Sequence, residues 1–163
     1  MKTKKFLGLL ALLCAAAVPA AGGKKAPPFT LPGITGPVEL AAYRGRVVYL
    51  DFWASWCGPC RKSFPWMSEL QARHPRALKV IAVNLDENRE DAMAFVRKLN
   101  PRFTIAFDPE GRLAEAYGVQ GMPSSYLIDA NGNIVASHVG FRESTAAEVE
   151  AEIARLIGSA PGR

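Results

Sequence analysis

An α/β sandwich, a central mixed sheet flanked by helices, is the fold class that the sequence predicts, and three observations predict it. Apolar runs of strand character alternate with segments whose apolar residues recur every three to four positions. The last two runs face each other as a hairpin and are followed by a helix, which adds antiparallel strands to the set. The chain of 163 residues is 49% hydrophobic and 21% charged, long enough for one core and too balanced for disorder or a collagen-like repeat.

The elements follow in order. Residues 29–31 and 38–40 are short strands around Pro32-Gly33. Residues 47–53, VVYLDFW, are β-branched or aromatic on both alternating faces, as in a central strand covered from both sides. From 59 to 74, Cys60, Phe64, Met67 and Leu70 fall at helical spacing, with Pro65 inside the pattern, where a kink is expected. Residues 78–84 form a second apolar strand. Asn88 caps a helix that carries Ala92, Phe95, Val96 and Leu99 on one face and stops before Pro101. Residues 103–107 read as a strand, and 113–117 as a short helix closed by Gly118. Residues 125–128 and 134–139 flank Asp129-Ala130-Asn131-Gly132-Asn133 as an antiparallel hairpin. Thr145 and Glu148 make a capping box for a last helix with Val149, Ile153, Leu156 and Ile157 inward. One domain therefore spans 29–158. A tether at 21–28, too extended and polar to pack, precedes it, and a flexible end at 159–163 follows.

The first twenty residues stand apart. Lys2, Lys4 and Lys5 precede an almost wholly apolar stretch at 6–18, and Val18-Pro19-Ala20 offers small residues for cleavage, the anatomy of a secretory signal peptide. The stretch is shorter than the roughly 20 residues that span a bilayer, so a retained N-terminal membrane anchor is the second choice. These residues hold three of the 20 Lys and Arg and none of the 15 Asp and Glu. Without them the net charge falls from +5 to +2, and no nucleic-acid-binding patch survives. Cys14 lies in this segment, but Leu13 stands where lipoprotein cleavage wants a small residue. The exported chain keeps Cys57 and Cys60, which close too short a loop to brace a fold.

Trp56-Cys57-Gly58-Pro59-Cys60 follows a buried strand and opens a helix. A helix N-terminus carries partial positive charge and free N–H groups that favour a thiolate, and Pro59 suits the first turn. Cys57 is expected as the exposed nucleophile, its pKa lowered from ~8.5 towards ~7 or below. Cys60, on the face of Phe64 and Met67, is expected as the covered resolving thiol. The rival uses are a zinc knuckle or an inert strut. Structural zinc needs about four N or S ligands, and only His74 and His138 remain beside the pair.

VVYLDFWASWCGPCRKSFP resembles the active-site stretch of thioredoxins, including Asp51 and Pro65. YGVQGMP, residues 117–123, is similar to their loop with a cis-proline, and Val139-Gly140 to the Val-Gly that closes the same site. The resemblance covers about residues 28–158. Export and the extra helix and strand between Asn88 and Phe107 point to the TlpA/ResA-type periplasmic branch. It implies a thioredoxin fold with a helix–strand insertion and a periplasmic thiol–disulfide oxidoreductase. It further implies a redox disulfide between Cys57 and Cys60, no cofactor, and a Met122–Pro123 cis peptide whose Met122 backbone pairs with an extended substrate. Trp56, Met122, Pro123 and Gly140 would form the substrate surface, with Trp53 in the core.

Asp51, among apolar neighbours, is expected to be desolvated, with a raised pKa near neutral pH. An isolated strand acid is usually inert; the resemblance places this one behind Cys60 as its proton acceptor. Two positions depart from the family. Ala82 stands where thioredoxins carry a lysine, and Ser63 where many cytochrome-maturation members carry a glutamate, so the acid function rests on Asp51 alone. His74 reads as a helix-end residue, His138 as a half-exposed strand residue, and Arg61 and Lys62 as thiolate helpers or a solvated face.

The partners implied are proteins with disulfides and a membrane thiol electron donor, with the enzyme a monomer. Substrates would be cysteine pairs awaiting haem or copper in cytochrome c or oxidase-assembly proteins. Gly-Pro between the cysteines favours a reductant near −270 mV over an oxidant near −120 mV. The alternatives are an oxidant or isomerase of folding proteins, or a Cu(I)-delivery protein, although no Met/His cluster adjoins the pair. A peroxidase would need a Thr where Ala54 stands.

Overall fold

The computed structural model describes residues 23–159. The expected export signal at 1–20, with Cys14, lies outside the described residues, as do residues 160–163.

At the centre is β4 (Val47–Trp53), every residue of which is buried. It pairs in parallel with β5 (Leu78–Asn84) and antiparallel with β7 (Ser124–Ile128). Strand β6 (Thr104–Phe107) continues the parallel side, and β8 (Asn133–Val139) the antiparallel side. Alternation along β4 divides the core. Val47, Tyr49 and Trp53 face helices α1 (Gly58–Arg73) and α4 (Glu143–Ser159), packing with Phe64, Met67, Leu70, Val149 and Ile153. Val48, Leu50 and Phe52 face the other way, onto Leu113, Ala114 and Tyr117 of α3 (Arg112–Tyr117). Burying each such side chain contributes about 1.5–3 kcal/mol, and both layers converge on this strand.

Helix α2 (Arg89–Leu99) begins as expected, with Asn88 Oδ1 accepting the Glu90 N–H at 2.9 Å, and ends at Asn100 in the left-handed region, φ 45°. Its Phe95 ring lies 4.8 Å from Trp53 and 4.9 Å from Phe64, which stacks the insertion onto α1. Pro65 sits inside α1, and the helix runs on through it.

Several boundaries differ from expectation. Within the segment expected as a tether, the described residues pack: Lys24–Lys25 forms β1, paired with Ile134 and Asn133 on the sheet edge, and Ala26 is buried. The backbone supplies this attachment, so side-chain polarity did not forecast it. The first hairpin is β2 (Thr30–Pro32) with β3 (Pro37–Glu39), and Leu40 opens a short 3-10 turn. Thr145 is not a cap. The last helix starts at Glu143, and Thr145 Oγ1 donates to the Arg142 carbonyl at 2.9 Å.

Candidate active site

Cys57 follows β4 and is the N-cap of α1, with φ −77° and ψ 106°. Its Sγ accepts the Cys60 N–H at 3.3 Å, and the two sulfurs form a disulfide of 2.05 Å. Pro59 occupies the first turn, which holds no acidic residue, so the positive end of the helix faces Cys57 unopposed. The sequence reading of Cys57 as exposed needs correction. It is 5% exposed and Cys60 0%, so the order of accessibility is as expected but the opening is narrow.

That opening is a cavity of about 560 Å³ lined by Trp56, Cys57, Pro59, Leu85, Val119 and Met122 among others, with no charged side chain. The Met122–Pro123 peptide is cis. Met122 shares the cavity with Cys57, while Pro123 is tied to Gly140, whose N–H donates to the Pro123 carbonyl at 2.7 Å. Trp56 and Val139 are 72% and 76% exposed, and Trp53 is fully buried. The loop after α3 and the end of β8 thus come to the thiol end of the sheet, as their order in the sequence required.

Asp51 is 1% exposed, and its Oδ2 has no hydrogen-bond partner. Alternation puts it on the face of Tyr49 and Trp53, the face α1 covers with Cys60. Burial pushes its carboxyl well above the usual carboxylate range. The same burial, and then the nearby Asp51 charge, raises the Tyr49 phenol. Directly across the parallel pairing from Asp51 stands Ala82, and across the antiparallel pairing Ser125, so neither register partner brings a cation.

A second buried acid escaped the sequence reading. Asp86 is 7% exposed and fastens the turn that carries Trp56 and Cys57. Its Oδ2 accepts the Ser55 N–H at 2.9 Å and its Oδ1 the Ser55 hydroxyl at 2.9 Å. Asn84, fully buried, donates its Nδ2 to Asp86 Oδ2 at 2.6 Å and accepts the Asp86 N–H at 3.1 Å. The available signal was the Asn-Leu-Asp that ends the second apolar strand.

The remaining residues take structural places. Arg61 donates to the Ser55 carbonyl at 3.3 Å and lies 5.0 Å over the Phe95 ring, and Lys62 is exposed. Ser63 Oγ donates to the Cys60 carbonyl at 3.1 Å. His74 ends α1, and His138 Nε2 lies 3.1 Å from Glu152 Oε2.

The redoxin family model matches residues 21–153. A thiol-disulfide oxidoreductase ResA of Bacillus thuringiensis subsp. konkukian is 33% identical over 136 residues, 82% of this chain and 78% of that protein. A crystal structure from Chlorobium tepidum, assigned as a thiol:disulfide interchange protein DsbE, is 52% identical, with a TM-score of 0.82 over 84% of this chain and 98% of its own. A secreted Mycobacterium tuberculosis disulfide oxidoreductase is 25% identical, with a TM-score of 0.68 over 78% of this chain and 96% of its own. Sequence relationship, sheet order and the Cys57–Cys60 disulfide at a helix N-terminus agree. The chain belongs to the redoxin family, in its TlpA/ResA-type branch, and is a thiol–disulfide oxidoreductase of thioredoxin fold.

Proposed function

We propose that this oxidoreductase works in the periplasm as a monomeric dithiol reductant of disulfides in other proteins. In the reduced enzyme the Cys57 thiolate attacks one sulfur of the substrate disulfide, and the other sulfur leaves as a thiolate. Asp51 takes the proton from Cys60, whose thiolate then attacks the Cys57 sulfur. The second substrate thiolate departs, and the enzyme is left as the Cys57–Cys60 disulfide. A membrane thiol donor returns the two electrons. The substrate strand lies along Gly121 and Met122, which share the cavity with Cys57, with Trp56, Pro123 and Gly140 shaping the surrounding surface.

The observation that carries this reading is the inequality of the two cysteines. Cys57 caps the helix at the edge of an uncharged cavity, while Cys60 is fully buried on the sheet face that holds Asp51, whose Oδ2 has no hydrogen-bond partner. A buried thiol needs an internal proton acceptor, and Asp51 is the acid on that face. Support for export comes from the N-terminal pattern of the sequence and from the secreted relative. Substrates of the cytochrome c or oxidase-assembly kind are what the resemblance to the TlpA/ResA-type branch implies.

The test is substrate trapping with Cys60→Ser in cells, where resolution is blocked and mixed disulfides accumulate on Cys57. Trapped proteins with cysteine pairs destined for haem or copper are the expected result. Trapping only of newly exported folding proteins, with a potential near −120 mV rather than near −270 mV, would make the enzyme an oxidant. Intact-mass measurement of the exported chain checks cleavage near Ala21.

A further inference from the structure

We propose that a notch at the end of the sheet opposite the thiols binds a phosphate-class anion, an inorganic phosphate or a phosphoester, through Arg46, Lys79 and Arg102. The notch is a cavity of about 410 Å³. Arg46 precedes β4, Lys79 is the second residue of β5, Arg102 lies just ahead of β6, and Cys57 follows the far end of β4. Seven strand residues at roughly 3.3 Å each separate the two sites by about 20 Å.

The notch exists because β6 starts late. It pairs with β5 only from Thr104 opposite Ile81, which leaves the β5 edge bare at Leu78–Val80. Gln71 from α1 stands in for the missing strand. Its Nε2 donates to the Leu78 carbonyl at 3.1 Å, and its Oε1 accepts the Val80 N–H at 2.9 Å. The inner wall is thereby fixed, with its own polar groups satisfied.

The cations around it are not neutralised. No carboxylate lines the cavity. Among the described residues none of Arg46, Lys79 and Arg102 is in an ion pair, all three of which lie elsewhere. Arg46 donates to the Pro75 and Leu78 carbonyls, and Lys79 sits 4.9 Å over the Tyr43 ring. Lys79 is also the one residue of β5 that is not buried, a cation set into a strand of core positions. Burial, and then the Arg46 charge, lowers the proton affinity of its ammonium. The Arg46 charge acts on the Lys79 ammonium, Arg102 lines the same cavity, and an anion bound there would offset their positive charge. A phosphate fits this better than a carboxylate. Its several charged oxygens can meet two guanidinium groups and an ammonium together, with the Thr104 hydroxyl beside them. The volume leaves room for an organic ester.

Two sources carry this chemistry, a dissolved phosphate compound and a phospholipid headgroup. The experiment records amide ¹H–¹⁵N shifts and thermal unfolding of the oxidised protein in phosphate and in chloride at matched ionic strength. Saturable shifts at Lys79, Arg102 and Thr104 with a raised Tm are expected, weakened at least tenfold in Lys79→Gln and in Arg102→Gln. Cosedimentation with phosphatidylglycerol vesicles, but not phosphatidylcholine vesicles, in a manner that phosphate competes, identifies the lipid source; shifts without cosedimentation identify the dissolved one. Small-disulfide reduction by both variants stays at the wild-type rate, which shows them folded and keeps this test separate from the thiol chemistry. Equal responses to phosphate and chloride, or phosphate binding unchanged in both variants, would overturn the proposal.

Discussion

Asp51 lies in the middle of β4 at 1% exposure, and Asp86 just beyond the end of β5 at 7%. Both are carboxylates taken out of water, yet the donors around them differ. Asp86 receives the Ser55 N–H, the Ser55 hydroxyl and the Asn84 amide. The Asp51 Oδ2 receives nothing. Hydrogen bonds replace the lost hydration of Asp86 and turn it into a clamp on the Cys57 turn. Without such donors, the Asp51 carboxyl binds its proton more tightly than an ordinary carboxylate, and exchange of that proton with Cys60 is the role proposed for it. Burial alone did not decide either role; the supply of N–H and O–H groups did.

Breaking this contrast at Asp51 has the largest expected effect. Asp51→Asn keeps the shape but cannot take a proton, so resolution by Cys60 is expected to slow by about 10²–10⁴-fold while the first attack by Cys57 hardly changes. Stopped-flow measurement of both steps checks this, and equal resolution rates would make the acid purely structural. Asp86 is expected to behave in the opposite sense. Asp86→Asn replaces an acceptor oxygen with an amide that faces donors, and lowers stability by about 1–3 kcal/mol, seen as a lower urea midpoint at unchanged slope. The first attack slows several-fold as the turn loosens, and resolution is spared.

Stability against pH sharpens the same comparison. A carboxyl whose folded pKa is raised binds its proton more tightly in the folded chain, so its contribution is complete below the unfolded value of about 3.9. That contribution is lost as pH rises through the folded value. Asp51→Asn is therefore expected to flatten the fall in stability above about pH 4, and to leave the protein more stable than wild type at neutral pH by about 1–3 kcal/mol. A denaturation series across pH measures it; parallel curves for the two proteins would refute it. The smallest effects belong to the outer part of the clamp. Ser55→Ala removes one hydroxyl bond, worth about 1 kcal/mol. Arg61→Ala, at an exposed site, is expected to stay within about 0.5 kcal/mol.

Much of the site could be read from the sequence because its parts are local. The cysteine pair, the strand before it and the helix after it are continuous, and the alternation in VVYLDFW exposed Asp51 as an acid among core residues. What escaped depends on distance along the chain. Asp86 meets Ser55 across 31 positions, and Arg46, Lys79 and Arg102 meet only because three elements end at one corner. Lys24–Lys25 became a strand through backbone pairing, to which side chains give no clue. Thr145 shows the converse failure, a local motif outcompeted when the helix began nearly a full turn earlier.

The three tryptophans occupy three different settings, and this gives the enzyme a built-in optical gauge. Trp53 is sealed in the core, Trp66 donates its indole N–H to Glu150 at 2.6 Å, and Trp56 stands in solvent beside the sulfurs. A dissolved quencher such as iodide reaches Trp56 and leaves Trp53 emitting. Half-buried Trp66 is reached less readily, so the most easily quenched part of the fluorescence is expected to come from the indole next to Cys57 and to report the oxidation state of the pair without any added label.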